Sequence, residues 1–284
     1  MSRWLIFIRE RFEPLSHLLM LGLLVAAHAA VNTGVEGRVA WTVGIGLAVL
    51  TFFFKLRLYD ELKDFEHDLK FNPGRPLARG LLTRDEVKTG VFLCLLIENL
   101  LWLALSPGTW IIFFVAVGYS LLMYNEFFLG PKLRSHLTTY AVTHTFVSAL
   151  ISVSMSAAFL ELHKINFVGL VMAISTWGLF NLFEFARKTF SGEEERFEID
   201  SYSKVWKRWG AVLLSASQLM VVAATQSYLV HSVWSKWLGL GLVIIVLMMG
   251  LIFVGRNTTN SAKMFRGACS GALILMLIGY LSLL

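Results

Sequence analysis

Nine apolar runs of about 17–24 residues divide the chain, and each is long enough to cross a bilayer as a helix. They fall roughly at 15–32, 38–58, 86–105, 108–128, 137–160, 165–184, 208–230, 235–255 and 266–284. The breaks between them are short and carry turn chemistry: Asn32-Thr33-Gly34, Ser106-Pro107-Gly108, Gly130-Pro131 and Arg256-Asn257. Charged residues make up 15% of the chain, against roughly a quarter in soluble domains. The fold class expected is all-α, a polytopic membrane bundle of about nine transmembrane helices, with residues 1–284 forming one integral-membrane domain. The first run starts near Leu15 without a small-residue cleavage pattern and reads as a retained helix.

The 25 basic residues are distributed unevenly. The N-terminus and the loops after spans two, four, six and eight hold 22 of them, and the other side holds Arg38, Lys164 and Lys236. This asymmetry predicts a cytoplasmic N-terminus and an outer C-terminus; the membrane expected is a plasma membrane of bacterial type. It also accounts for the net charge of +6 without nucleic acid as a partner. Cys94 and Cys269 both lie inside apolar runs, where small core filler is expected rather than a disulfide or a metal site.

Two loops on the basic side, 55–85 and 184–208, contain most of the 19 acidic residues. Positive-inside topology does not call for these acids. In the first loop, Asp60, Asp64 and Asp68 recur every four residues. If the second span continues through them as a helix, all three carboxylates lie on one face and repel each other. With Glu61 they form a set of hard oxygen ligands suited to Mg²⁺, which is usually held by a few carboxylates plus substrate phosphates. The alternative is a solvated helix end, because Lys63, His67 and Lys70 are interleaved. Asn72, Pro73, Gly74 and Pro76 then stop the helix, and Arg75 and Arg79 leave the turn as candidate phosphate ligands.

The second loop mixes acids and bases. Glu184, Glu195 and Asp200 are further candidate metal ligands, while Arg187, Lys188 and Lys204 are candidate diphosphate ligands. Tyr202 and Ser203 are candidate hydrogen-bond donors to the same phosphate; the competing role nearby is a helix cap by Asp200 or Ser201. Within or at the ends of spans, Asn99, Asn125, His144 and Asn181 are candidates for an acceptor pocket, with interhelical hydrogen bonding as the alternative.

The Asp-rich helix end followed by Asn-Pro-x-Arg-Pro-Leu resembles the first signature of the UbiA superfamily of intramembrane prenyltransferases. That signature is written N-x-x-x-D-x-x-x-D, then an R-P-[LI] turn with a glycine soon after. Asp60 stands where the Asn is usual, Asp64 and Asp68 match the aspartates, and Arg75-Pro76-Leu77 and Gly80 match the turn. Nine spans with signature loops after spans two and six are also similar to that family. The second signature, D-x-x-x-D after span six, is replaced by Phe183-Glu184-Phe185-Ala186-Arg187-Lys188. Two alternatives follow: carboxylates supplied by Glu193–Glu195 and Asp200 from a shifted position, or fixed charge from Arg187 and Lys188 in place of a second ion.

The resemblance implies an Mg²⁺-dependent transferase that moves a prenyl group from a prenyl diphosphate to a small or lipid acceptor within the bilayer. Asp60, Asp64 and Asp68 would then be the catalytic residues. Other readings are transfer of a sugar phosphate onto a polyprenyl phosphate, cyclisation of a prenyl chain, or non-catalytic binding of an isoprenoid or another anionic lipid.

Overall fold

The computed structural model describes residues 2–32, 39–160, 165–196 and 200–283. Arg38 and Lys164, which entered the charge asymmetry, lie outside the described residues. A short helix α1 (Arg3–Arg11) precedes α2 (Pro14–Asn32) and α3 (Val39–Lys63), and α4 (Phe65–Phe71) follows the Asp-rich end of α3. Next come α5 (Arg84–Leu105), α6 (Trp110–Tyr124), the short α7 (Gly130–Arg134), α8 (Leu137–Phe159) and α9 (Phe167–Arg187). The chain closes with α10 (Tyr202–Leu229), α11 (Val233–Arg256) and α12 (Thr259–Tyr280). Nine helical segments among the described residues are long and apolar enough to cross a membrane, so the protein is an integral membrane protein.

The long helices pack largely in chain order, and α12 returns to contact α2, closing the bundle. α8 and α9 are the most enclosed spans. One continuous core joins Leu24, Phe52, Trp102, Phe113, Phe159 and Phe265, while outward-facing side chains such as Phe92, Ile111, Leu213 and Ile245 remain apolar and exposed. This pattern suits a bundle whose solvent is lipid. Small residues let the helices approach closely: a Cβ on Gly250 of α11 would stand 2.3 Å from Val212 Cγ1 of α10.

The helix ends follow local chemistry. Pro14 opens α2, where its missing N–H is not needed. A capping box between Thr83 and Glu86 starts α5 two residues before the expected span. Ser201 caps α10 through a hydrogen bond from the Lys204 amide, which fills the capping role expected of Asp200 or Ser201. α10 starts at Tyr202, not near 208, but Lys207 (φ 58°, ψ 165°) breaks it, so the membrane part begins about where the apolar run does. α12 starts at Thr259, ahead of the apolar run at 266, behind a second capping box.

The fourth span is shorter than its apolar run. α6 ends at Tyr124 because Glu126, Phe127 and Phe128 all take positive φ, between 49° and 57°. Three consecutive left-handed residues cost energy for L side chains. Arg134 Nε holds the turn by donating to both Glu126 oxygens at 2.9 Å.

Candidate functional site

The Asp-rich stretch is helical on both sides of a single bend. α3 runs to Lys63, and the backbone bonds Asp64 N to Asp60 O and Asp68 N to Asp64 O carry the i to i+4 pattern through Asp64 into α4. The three aspartates therefore form the ladder that their spacing suggests, yet their surroundings differ. Asp60 is the most open, 45% exposed, with Arg57 and Lys63 each at 3.5 Å. Asp68 is buried and accepts from Arg75 Nη1 at 2.6 Å and Asn72 Nδ2 at 3.0 Å. Asp64 makes no side-chain hydrogen bond or ion pair among the described residues. Burial pushes its carboxyl above the ordinary aspartate range; the charge of Lys63 opposes this, and those of Asp60 and Asp68 add to it.

Glu61 leaves this face. It is 1% exposed and accepts from Arg11 Nε of α1 at 2.5 Å. One residue of helix rotates it about 100° from Asp60, onto the seam with α1. α1 straps the whole first loop through Arg3–Glu86, Glu10–Arg79 and Arg11–Glu61. Arg79 is thus tied to Glu10, with Oε1 and Oε2 each at 2.9 Å. Gly80 sits at φ 77°, a conformation that a side chain would strain, and lets the Arg75-Pro76-Leu77 turn run into α5.

Most acids of the second loop have other work. Glu184 is paired with Arg187 at 2.5 Å and Lys188 at 3.2 Å. Glu193 accepts from the Thr259 amide and hydroxyl at the start of α12. Glu194 accepts from both Arg266 Nη atoms, and Asn257 holds the Gly192 amide. Glu195 accepts from Ser201 Oγ at 2.6 Å and lies 3.8 Å from Lys204 Nζ. Asp200 is exposed, and Glu198 lies outside the described residues. Tyr202 is fully buried against Phe185, and its hydroxyl has no partner among the described residues. Ser203 Oγ accepts from the Phe190 amide at 2.7 Å.

The docking of the second loop onto α12 depends on charge. The hydrogen bonds from Arg266 hold the Glu194 carboxyl below its usual range, against the opposing effect of partial burial. A lowered carboxyl stabilises the docked loop fully above the ordinary glutamate pKa of about 4.3 and loses that contribution as pH falls through the lowered value. Hydrogen exchange of residues 189–196 should therefore show protection at pH 7 that fades below about pH 4, and Glu194→Gln should fade it already at neutral pH. Protection that is the same at both pH values and in both proteins would remove Glu194 from this role.

A polar network not expected from the sequence joins the first loop to α8. Lys63 Nζ donates to Tyr140 Oη at 2.9 Å. Tyr140 Oη in turn donates to Glu126 Oε1 at 3.4 Å. The His144 ring stacks on Tyr140 with centroids 3.9 Å apart. His144 Nδ1 donates to the Tyr140 carbonyl at 2.7 Å, which leaves Nε2 as a buried lone pair without a partner. On the other flank, Trp206 Nε1 donates to Thr138 Oγ1 at 2.7 Å. The first turn of α8 therefore touches elements of both loops. A Tyr or Lys flanking an acidic helix gives no periodic signal, so the sequence did not single out this network.

The expected acceptor residues do not all meet. Asn181 accepts from Thr145 Oγ1 at 2.5 Å and donates to Gln218 at 3.3 Å, one residue along α8 from His144. Asn125 is exposed at the end of α6. Asn99 lies 15 residues into α5, about 22 Å along the helix from Arg84, and accepts from Trp110 at the far end of the bundle. A cavity of about 510 Å³ lies between α1, α3 and α5 and is lined by Trp4, Phe54, Glu86, Leu93 and Cys94 among others. None of the expected site residues lines it.

No protein-family profile matches the chain, and no curated protein matches it. Solved structures do. A structure of digeranylgeranylglyceryl phosphate synthase matches with a TM-score of 0.68 and 12% identity, over 99% of this chain and 98% of that one. The chain has the UbiA fold. The apo structure of a UbiA homologue from Aeropyrum pernix K1 matches with a TM-score of 0.60, also at 12% identity, over 92% of this chain and 96% of that one. The all-α bundle expected from the nine apolar runs is thus a UbiA-type bundle. At this identity the UbiA fold leaves the chemistry to be argued from the side chains.

The ladder can be tested for fit to a divalent cation. Among the described residues, no group of three or more His, Cys, Asp or Glu side chains is placed to hold a metal ion. Mg²⁺ does not need one, because it keeps several waters and binds through one or two carboxylates plus phosphate. Asp64 supplies what such an ion requires: a desolvated carboxylate with no protein donor, flanked by two others. The first loop fits. In the second loop, only Asp200 among the expected ligands makes no hydrogen bond or ion pair among the described residues, so a second ion finds no comparable set.

Proposed function

We propose that the protein is an intramembrane prenyltransferase, moving a prenyl group from a prenyl diphosphate to a small or lipid acceptor, with Mg²⁺ at the first loop. The observation that carries this reading is Asp64, a carboxylate with no hydrogen bond or ion pair among the described residues, between Asp60 and Asp68 at one end of a UbiA fold. Asp60 and Asp64 would hold the ion, and Asp68 would join them as Arg75 turns from carboxylate to phosphate. When bound, the ion supplies positive charge against the departing diphosphate.

The chain's own residues do the rest. Arg75, Arg187, Lys188 and Lys204 provide fixed positive charge at the same end of the bundle, where less reorganisation is needed as the leaving group becomes anionic. Arg187 and Lys188 arrive already paired with Glu184, which holds their side chains in place. The apolar bundle receives the prenyl tail and keeps water from the developing allylic cation. His144 Nε2, beside the Lys63–Tyr140 link, is an acceptor atom without a partner among the described residues. The basic asymmetry supports a cytoplasmic location for this end of the bundle.

A turnover assay tests the reading. The purified protein in nanodiscs is given a panel of prenyl diphosphates, with and without Mg²⁺, and diphosphate release is followed. Release that requires the metal is expected. Binding of the donors without release under any condition would move the protein to the non-catalytic, lipid-binding reading.

A further inference from the structure

We propose that the groove between α1, α3 and α5 binds one zwitterionic phospholipid, with an acyl chain along the groove and the headgroup on its rim. The groove encloses about 510 Å³, which is within the range of ligand sites. Its lining divides along α5. Asp85 and Glu86 stand at the rim, and Gly90, Leu93 and Cys94 continue inward as an apolar wall faced by Trp4 of α1 and Phe54 of α3. Gly90 lets α1 lie against α5, since a Cβ there would stand 2.9 Å from Trp4 Cη2. The Asp ladder takes no part in this lining, so the site is independent of the transferase reading.

The groove is as long as one leaflet is deep. Thr83 caps α5, and Cys94 is the eleventh of the 22 residues of that helix. The lining from Thr83 to Cys94 therefore runs from the start of the span to its middle, about 16 Å at the helical rise. Half of a hydrocarbon core is about 15 Å. The groove also opens towards lipid: Leu93 is 47% exposed, and Phe92, Leu96 and Ile97 beside it on α5 are exposed as well. A chain can enter sideways from the leaflet.

The rim sets the preference for a headgroup. Lipid tails are as apolar as the groove wall, so seating a chain by itself discriminates little. At the rim, Lys88 pairs with Asp85 at 3.0 Å and Arg3 pairs with Glu86 at 2.5 Å. All four side chains are partly exposed, Asp85 the most at 89%. Exposed pairs of this kind are weak and exchange partners readily. Two charges of each sign match a headgroup that carries both a phosphate and an ammonium. The phosphate meets Lys88 or Arg3, and the ammonium donates to Asp85. A purely anionic headgroup would set its phosphate against the two carboxylates with nothing to offset them.

Native mass spectrometry of the purified protein tests this, with phosphatidylethanolamine and phosphatidylglycerol titrated in detergent. The wild type should retain one phosphatidylethanolamine and prefer it to phosphatidylglycerol. Leu93→Trp and Thr89→Phe, which put bulk into the groove, should each abolish that saturable binding. Leu213→Trp, on the exposed face of α10, should bind as the wild type does. Asp85→Lys leaves the walls intact and carries the test if neither filling variant folds. It should weaken phosphatidylethanolamine about 10- to 100-fold, the equivalent of a charged hydrogen bond, and turn the preference to phosphatidylglycerol. Binding that is the same in the wild type, the filling variants and Asp85→Lys overturns the proposal. So does a wild type that prefers phosphatidylglycerol or retains neither lipid. No readout involves turnover, so failure here leaves the transferase reading untouched, and failure to release diphosphate leaves this site untouched.

Discussion

Replacing Asp64 with alanine is expected to reduce Mg²⁺-dependent diphosphate release by on the order of 10³-fold, since metal stabilisation of a leaving group is worth several kcal/mol and each 1.36 kcal/mol is tenfold in rate. Of the three aspartates, Asp64 should give the sharpest loss. Asp60 is open and already offset by Arg57 and Lys63, and Asp68 is bound to Arg75 and Asn72. The same substitution should not lower stability. Burial and the neighbouring acids raise the Asp64 carboxyl in the folded state. Ionised Asp64 therefore opposes folding above that raised value, and the penalty is relieved as pH falls through it. Asp64→Asn should melt no lower than the wild type at neutral pH while losing turnover. A variant that loses both stability and activity together would make Asp64 a structural residue.

Removing one partner of the Lys55–Glu98 pair should have the largest effect on stability, about 3–5 kcal/mol, because it strands a charge inside the bundle. Both side chains are fully buried and 43 positions apart, and they join α3 to α5. Lys55 Nζ also sits over the Phe52 ring, 4.2 Å from its centroid. The second oxygen of Glu98 has no donor among the described residues, so the site has no spare partner for a lone carboxylate. Glu98→Ala should lower the melting temperature in detergent and raise susceptibility to proteolysis. Joint replacement, Lys55→Met with Glu98→Leu, should restore stability to near the wild type or above it. If the single and double variants melt together, the pair has no role in holding the Asp-bearing helix. The pair also corrects the reading of Lys55 as the first residue of a charged loop: it is a core residue of a span.

The two acidic loops show how far a one-dimensional reading extends. The four-residue spacing of Asp60, Asp64 and Asp68 placed them on one helical face before any coordinates, because helical pitch is a local property. The same spacing said nothing of Glu61, whose place is set by Arg11, 50 positions away. In the second loop, Glu193 and Glu194 had the composition of metal ligands, but they cap and brace α12. Lys63, Tyr140 and His144 come together only because α8 packs beside the end of α3.

The sequence by itself determined the number of long helices, most of their ends, and the bend-and-turn chemistry after the Asp ladder. Each depends on bilayer thickness, helical pitch or a capping residue, and all act over a few turns of chain. The tertiary structure alone decided which charges are spent on each other and which are left over. An ion pair forms between residues brought together by helix packing, whatever their separation in the chain. That selection leaves Asp64 without a donor among the described residues.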